Sequence, residues 1–152
     1  MGYTKTLLCQ YDGKGCFGCC GRDFKSKQDI EKDIKQNTHE FLYHNDMVRF
    51  RDRKEKLNLR PSGVCRNIVI MDERVLCPLH PKMNKGEDLR EGHCDINYLC
   101  KTAKIFNSWN KRRQRKFLRF VKRQKLDWID YSIKMDNGTL LREFYDFDKA
   151  TK

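Results

Sequence analysis

Two kinds of apolar spacing alternate along the chain. Ile30, Ile34, Phe41 and Leu42 lie on a helical stripe running to about His44, and Ser26 with Asp29 three positions on has the form of a helix-starting capping box. Residues 45–60 are strongly charged, with a short second helix predicted around Met47 and Phe50, and Pro61-Ser62-Gly63 ends it. Residues 67–71 are short and rich in β-branched side chains; with Asp72-Glu73 as a turn and Arg74-Val75-Leu76 returning, they predict a central hairpin. From Ile96 onward Leu99, Ala103, Phe106, Trp109, Phe117, Phe120, Val121, Trp128 and Tyr131 recur mostly three or four apart without a proline, predicting one long helix. Asn137-Gly138 can cap that helix or turn a hairpin between residues 131–135 and 139–144, and periodicity allows both.

Two stretches have no lasting period. Residues 1–25 hold five glycines and four cysteines, the pattern of a loop that wraps a site; residues 78–92, with two prolines and two glycines, look like a second ligand-bearing loop. No repeat at a solenoid period and no low-complexity tract occurs.

Composition changes this picture in one respect. The length of 152 residues fits a single domain, but only 38% are apolar, below the usual 45 to 50%, so the core needs support. Eight cysteines and four histidines are available as disulfides or as metal ligands. The longest apolar run near the amino terminus is Leu7-Leu8-Cys9, too short for a signal or a span, which predicts a cytoplasmic protein whose reduced thiols bind metal.

The candidate ligands are Cys9, Cys16, Cys19, Cys20, Cys65, Cys77, His80, His93, Cys94 and Cys100. Two tetrahedral zinc sites need eight. Cys16-x-x-Cys19 has knuckle spacing, with Gly18 and Gly21 permitting a tight turn and backbone amides pointing toward sulfur, and Cys77-Pro-Leu-His80 repeats the interval. The simplest partition joins these two knuckles and groups Cys9, Cys65, Cys94 and Cys100, with Cys20 as a substitute. Cys94 and Cys100 straddle the start of the long helix, whose dipole favours a thiolate. His93, beside Glu91 and Asp95, suits a surface role better than a labile one. His39 and His44 suit a helix end, and Asp29, Glu31 and Asp33 a helix start.

Together, Cys16-x-x-Cys19-Cys20, Cys65, Cys77-x-x-His80-Pro81, Cys94 and Cys100 resemble the small cysteine-rich proteins of the zinc- or iron-chelating domain family with a CxxCxxCC-type signature, over about residues 9–100. The Arg-Pro-x-x-Cys element of that pattern is replaced here by residues 82–93. The resemblance implies chelation of zinc or an iron-sulfur centre. Tetrahedral sulfur can hold either, and mixed Cys and His ligation favours zinc, with two ions expected. Neither His-Glu-x-x-His nor the deaminase pattern of His-x-Glu with Pro-Cys-x-x-Cys occurs, so the expected metal is structural.

Charge is the remaining signal. Residues 101–152 carry 15 Lys and Arg against 6 Asp and Glu, which supplies +9 of the net +12. The stretch 111–125 has nine cations and no acid, and Lys111, Arg112, Arg113, Arg115, Lys116, Arg119, Lys122 and Arg123 are the candidate contacts to a phosphate backbone. A solvated face partly neutralised by Asp127, Asp130 and Asp136 is the plainer reading. Trp109 would favour RNA if exposed for stacking, although its spacing puts it on the core side.

The sequence thus predicts a small, mostly helical and loop-rich α+β fold, metal-stabilised, with a short central hairpin and a long basic carboxyl-terminal helix. A cysteine-rich metal-binding region spans residues 1–100, and a basic helical extension, residues 101–152, packs on it as one compact unit. The leading functional expectation is a metal-binding protein, with zinc, that meets RNA, DNA or an acidic protein through its basic helix. An iron-sulfur or zinc enzyme or redox protein, and a chelating or metal-delivery protein, are the alternatives.

Overall fold

Ser26 starts the first helix as expected: its Oγ accepts from the Asp29 amide at 3.1 Å, ahead of α1, Lys27–His44. The computed structural model describes residues 6–53 and 58–151, which form two compact units, Met1–Cys19 with Tyr98–Lys152, and Cys20–Asn97.

In the second of these, α1 buries Ile30, Ile34 and Asn37, with Phe41 half-buried one turn on, while Leu42 stands 69% exposed. The buried stripe therefore advances by four, three and four, and Leu42 falls outside it. Asn45, in the left-handed region at φ 50°, closes α1 by donating its N–H to the Phe41 carbonyl. Asp46 then caps α2, Met47–Arg51, the short helix expected around Met47 and Phe50; residues 54–57 of that charged segment lie outside the described residues.

The central hairpin is present as β3, Val69–Met71, and β4, Arg74–Leu76, paired Val69 to Leu76, Ile70 to Val75 and Met71 to Arg74. Its turn residues Asp72 and Glu73 both have positive φ, the geometry that matches the twist of a two-residue hairpin loop. Thr38 joins helix to hairpin, because its Oγ1 donates to the Ile34 carbonyl at 2.8 Å and accepts from the Ile70 amide at 2.9 Å. Phe50, Val69 and Leu79 form the apolar core here, with Phe41, Met47 and Leu89 against it. Asn37, fully buried, donates to the Cys65 and Ile68 carbonyls and accepts from Arg60 Nε at 2.7 Å, so its amide is satisfied at both ends. Gly21 and Gly63 let two backbones meet: a Cβ at Gly63, where φ is +97°, would lie 2.2 Å from the Arg22 carbonyl oxygen.

The other unit opens with a tight hairpin, β1 Gln10–Tyr11 and β2 Lys14–Gly15, turned by Asp12 and Gly13 at φ 54° and 75°. Four helices follow: α3 Lys101–Ser108, α4 Lys111–Arg123, α5 Trp128–Asp136 and α6 Thr139–Ala150. The single long helix expected from Ile96 is corrected to three, α3, α4 and α5, with α6 following Asn137-Gly138. Side chains flanking the basic run interrupt the helix: Asn110 Oδ1 accepts from the Arg113 amide at 2.9 Å, Asp127 Oδ1 accepts from the Asp130 amide at 2.8 Å, and each starts a new helix. Lys125, with φ 50°, turns the chain between α4 and α5. Asn137 and Gly138 act as helix punctuation between α5 and α6, so the hairpin alternative does not occur.

The core of this unit is aromatic. Phe106, Phe117, Phe120, Tyr131 and Phe144 are buried with Leu8, Met135, Leu140 and Leu141, and Phe117 meets Phe144 edge to face at 5.1 Å. Long-range hydrogen bonds fasten the amino-terminal segment to it: Tyr131 Oη donates to the Leu8 carbonyl at 2.5 Å, Tyr11 Oη to the Leu118 carbonyl at 3.2 Å, and the Phe17 amide to Ser132 Oγ at 3.1 Å. Gly18 is required by this approach, since a Cβ there would sit 2.4 Å from the Ser132 carbonyl oxygen. A mostly helical α+β fold with short hairpins is thus what the chain forms.

Candidate functional site

The thiols take up local roles in the backbone. At both expected knuckles an amide two residues on points at sulfur, Gly18 toward Cys16 and Leu79 toward Cys77. Cys100 Sγ caps α3 by accepting from the Ala103 amide at 3.4 Å, and Cys65 Sγ accepts from the Asn67 amide at 3.5 Å. Cys9, Cys19 and Cys94 are exposed, whereas Cys16, Cys20, Cys65, Cys77 and Cys100 are half-buried. Among the described residues all eight are thiols, with no disulfide.

Burial pushes the Cys16 thiol well above its ordinary range, with Cys19, Cys9 and Cys100 adding to the rise; it pushes Cys77 up to about 12, with Cys65 and Cys94 acting the same way. Metal binding needs the thiolate, and desolvation disfavours that form. His80 is also desolvated, its pKa lowered to about 4 by burial and by Arg90, and its Nδ1 accepts from the Lys82 amide at 3.1 Å. His93 and His39 are exposed, and His44 lies edge to face with Tyr43 at 5.3 Å.

Among the described residues no group of three or more Cys, His, Asp or Glu side chains is placed to hold a metal ion. This overturns the ligand expectation for Cys9, Cys16, Cys19, Cys20, Cys65, Cys77, His80, His93, Cys94 and Cys100 as a coordinating set. With it go the two zinc ions, the iron-sulfur alternative, metal stabilisation of the fold, the metal-based functions, redox and delivery included, and the resemblance to the chelating family. The thiols share neighbourhoods without converging on a common point.

The basic stretch keeps its geometry. On α4, Phe117, Phe120 and Val121 face the core. At about 100° per residue, Lys111, Arg112, Arg115, Arg119, Lys122 and Arg123 occupy roughly a third of the circumference on the other side, and all six are exposed. Among the described residues no ion pair involves Arg112, Arg115, Arg119 or Arg123.

Two of the eight expected contacts are committed elsewhere. Arg113 Nη1 lies 3.0 Å from Asp148 Oδ2, Lys116 Nζ pairs with Asp148 Oδ1, and the Asp148 side chain is only 6% exposed. These two bonds, Lys116 first, hold the Asp148 carboxyl below its ordinary range. Arg113 also lies over the Trp109 ring at 4.7 Å, and Trp109 packs against the core, on the side its spacing gave. Of the acids expected to neutralise α4, Asp127 caps α5 and Asp136 is half-buried, its carboxyl pushed up by burial. Asp148, on α6, takes that part for Arg113 and Lys116.

A groove of about 650 Å³ opens where α4 ends, lined by Asp12, Lys14, Arg119, Lys122, Arg123, Lys125 and Leu126. Lys14 Nζ contacts Asp12 Oδ2 at 3.0 Å, and the hydrogen bond from Tyr11 to Leu118 ties the hairpin to the helix. Sequence reading had no means of placing Lys14 here.

No protein-family model, curated protein or solved structure matches the chain. Among the described residues no helix is long and apolar enough to cross a membrane.

Proposed function

We propose that the outward face of α4 binds the phosphate backbone of RNA or DNA without reading base sequence. One observation carries this reading: six cations share one exposed arc, and four of them make no ion pair among the described residues. A folded protein gains no stability from such like-charge crowding, whereas each phosphate contact releases counterions. The helix, with 13 residues, is about 20 Å long, enough to run beside several phosphates of a strand. Membrane insertion is disfavoured, because the apolar arc of α4 is spent on the core. The absence of disulfides among the eight cysteines suits a reducing, cytoplasmic setting.

The test is a salt titration of binding to a 20-base-pair duplex and to an acidic polypeptide. Binding to duplex is expected to weaken with salt at a log-log slope of about −4 to −5, each of Arg112→Gln, Arg115→Gln and Arg119→Gln lowering it by about one. Equal affinity for polyglutamate would turn the reading to an acidic protein partner, and no salt-dependent binding of either would end it.

A further inference from the structure

The groove at the end of α4 differs from the rest of the basic face. Along the helix the cations stand on a convex surface, one contact after another. Here five line a broad, open depression, Lys14 from the hairpin, Arg119, Lys122 and Arg123 from α4, and Lys125 from the turn beyond. Asp12 offsets one charge and steadies Lys14, so four remain in excess. Leu126 gives the groove an apolar wall, and its volume of about 650 Å³ is within the usual range for small-molecule sites.

A phosphodiester carries one negative charge and continues on both sides, which suits an open ridge. A terminal phosphate monoester carries close to two at neutral pH and ends the strand, which suits a depression with a surplus of cations. Arg119, Lys122 and Arg123 belong to both groove and ridge, so the two surfaces are continuous. We propose that this groove receives the terminal phosphate monoester of a nucleic-acid strand whose following phosphates run along α4. This rests on the nucleic-acid reading above and adds a preference that the helix alone would not produce.

Three single-stranded 12-nucleotide oligomers of one sequence distinguish the possibilities, ending in 5′-phosphate, in 3′-phosphate, or in hydroxyls at both ends. Binding to the intact chain is measured by calorimetry. One phosphorylated oligomer is expected to bind roughly tenfold tighter than the hydroxyl-ended one at pH 7.5, and which one does so identifies the strand end. The advantage should shrink below about pH 6, where the monoester dianion takes up a proton and keeps a single charge. Asp12, the acid lining the groove, has its carboxyl held below the ordinary range by the bond from Lys14. Lys14→Gln and, separately, Lys125→Asn, which tolerates the left-handed backbone at that position, should each bring the ratio toward one. Equal affinity for all three oligomers would overturn the groove assignment while leaving the α4 reading in place. Failure of all three to bind in a salt-dependent way would overturn both.

Discussion

The two units handle positive charge in opposite ways. In Cys20–Asn97, Arg53 is almost fully enclosed, its side chain 4% exposed, and it donates to Glu40, to the Phe50 and Arg66 carbonyls and to Asn67, while its guanidinium lies 3.9 Å over the Phe50 ring. Arg60 completes the set by donating to Glu40 and Asn37. On α4, Arg113 and Lys116 pair with Asp148 while remaining partly exposed, and the rest of the basic run faces water. Identical residue types thus carry structure in one unit and stand exposed in the other. The number of acceptors each guanidinium meets, and not the local density of arginine, separates the two roles.

The sharpest way to break this comparison is Arg53→Ala. It removes the enclosed cation and leaves acceptors on Asn67 and two carbonyls without their donor, so a loss of about 3 to 5 kcal/mol in unfolding free energy by urea titration is expected. A loss under about 1 kcal/mol would mean that the enclosed network is decorative and the contrast between the units empty. The converse variant, Arg112→Gln with Arg115→Gln and Arg119→Gln, should leave stability within about 0.5 kcal/mol and reduce nucleic-acid affinity by roughly ten- to a hundredfold at moderate salt. Destabilisation of the triple variant instead would make those arginines structural.

Acid sharpens the same point. Burial would raise the Glu40 pKa, but hydrogen bonds from Gln36, Arg53 and Arg60 outweigh it and hold the carboxyl at about 2, against an ordinary value of 4.5. Between those values the unfolded chain binds the proton and the folded chain does not, so this contribution to stability is complete above about pH 4.5 and lost as pH falls toward 2. His80 adds a loss at higher pH, since its folded pKa of about 4 lies under its ordinary 6.5 and protonation would cost the turn its Nδ1 acceptor. Stability measured across this range should fall in two stages. Glu40→Gln should reduce the lower one, to which the lowered carboxyls of Asp12, Asp52, Asp88 and Asp148 also contribute, and leave the upper one in place.

What the sequence displayed of the fold was whatever its local rules decide. Ser26 and its stripe announced α1, and a β-branched run with a two-residue turn announced the β3–β4 hairpin. The breaks at Asn110 and Asp127 were hidden because both lie in a run of residues with helical spacing, and a capping side chain is recognised only when the preceding backbone is seen to be extended. Cysteine spacing forecast the amides that point at Cys16 and Cys77, since those are within two residues, but interval alone cannot make distant sulfurs converge. The same limit applied to the candidate interface. Its cations were visible, yet the acid that withdraws Arg113 lies 35 positions away, and Lys14 reaches the groove from the far end of the sequence.

The smallest expected effect tests how finely burial, as opposed to hydrophobic character, assigns roles within a single helix. Ile34 and Leu42 are both large aliphatic residues of α1, and both count toward an apolar stripe when only the sequence is read. Ile34 is fully buried, whereas Leu42 is 69% exposed. Leu42→Gln removes no enclosed surface and places a good helix former on a solvated face, so stability should change by less than about 0.5 kcal/mol and solubility should rise. Ile34→Ala, by contrast, opens a cavity and should cost about 2 to 4 kcal/mol. A cost for Leu42→Gln approaching that of Ile34→Ala would show that α1 buries this residue against something in solution, and the exposed end of the helix would then be a contact surface.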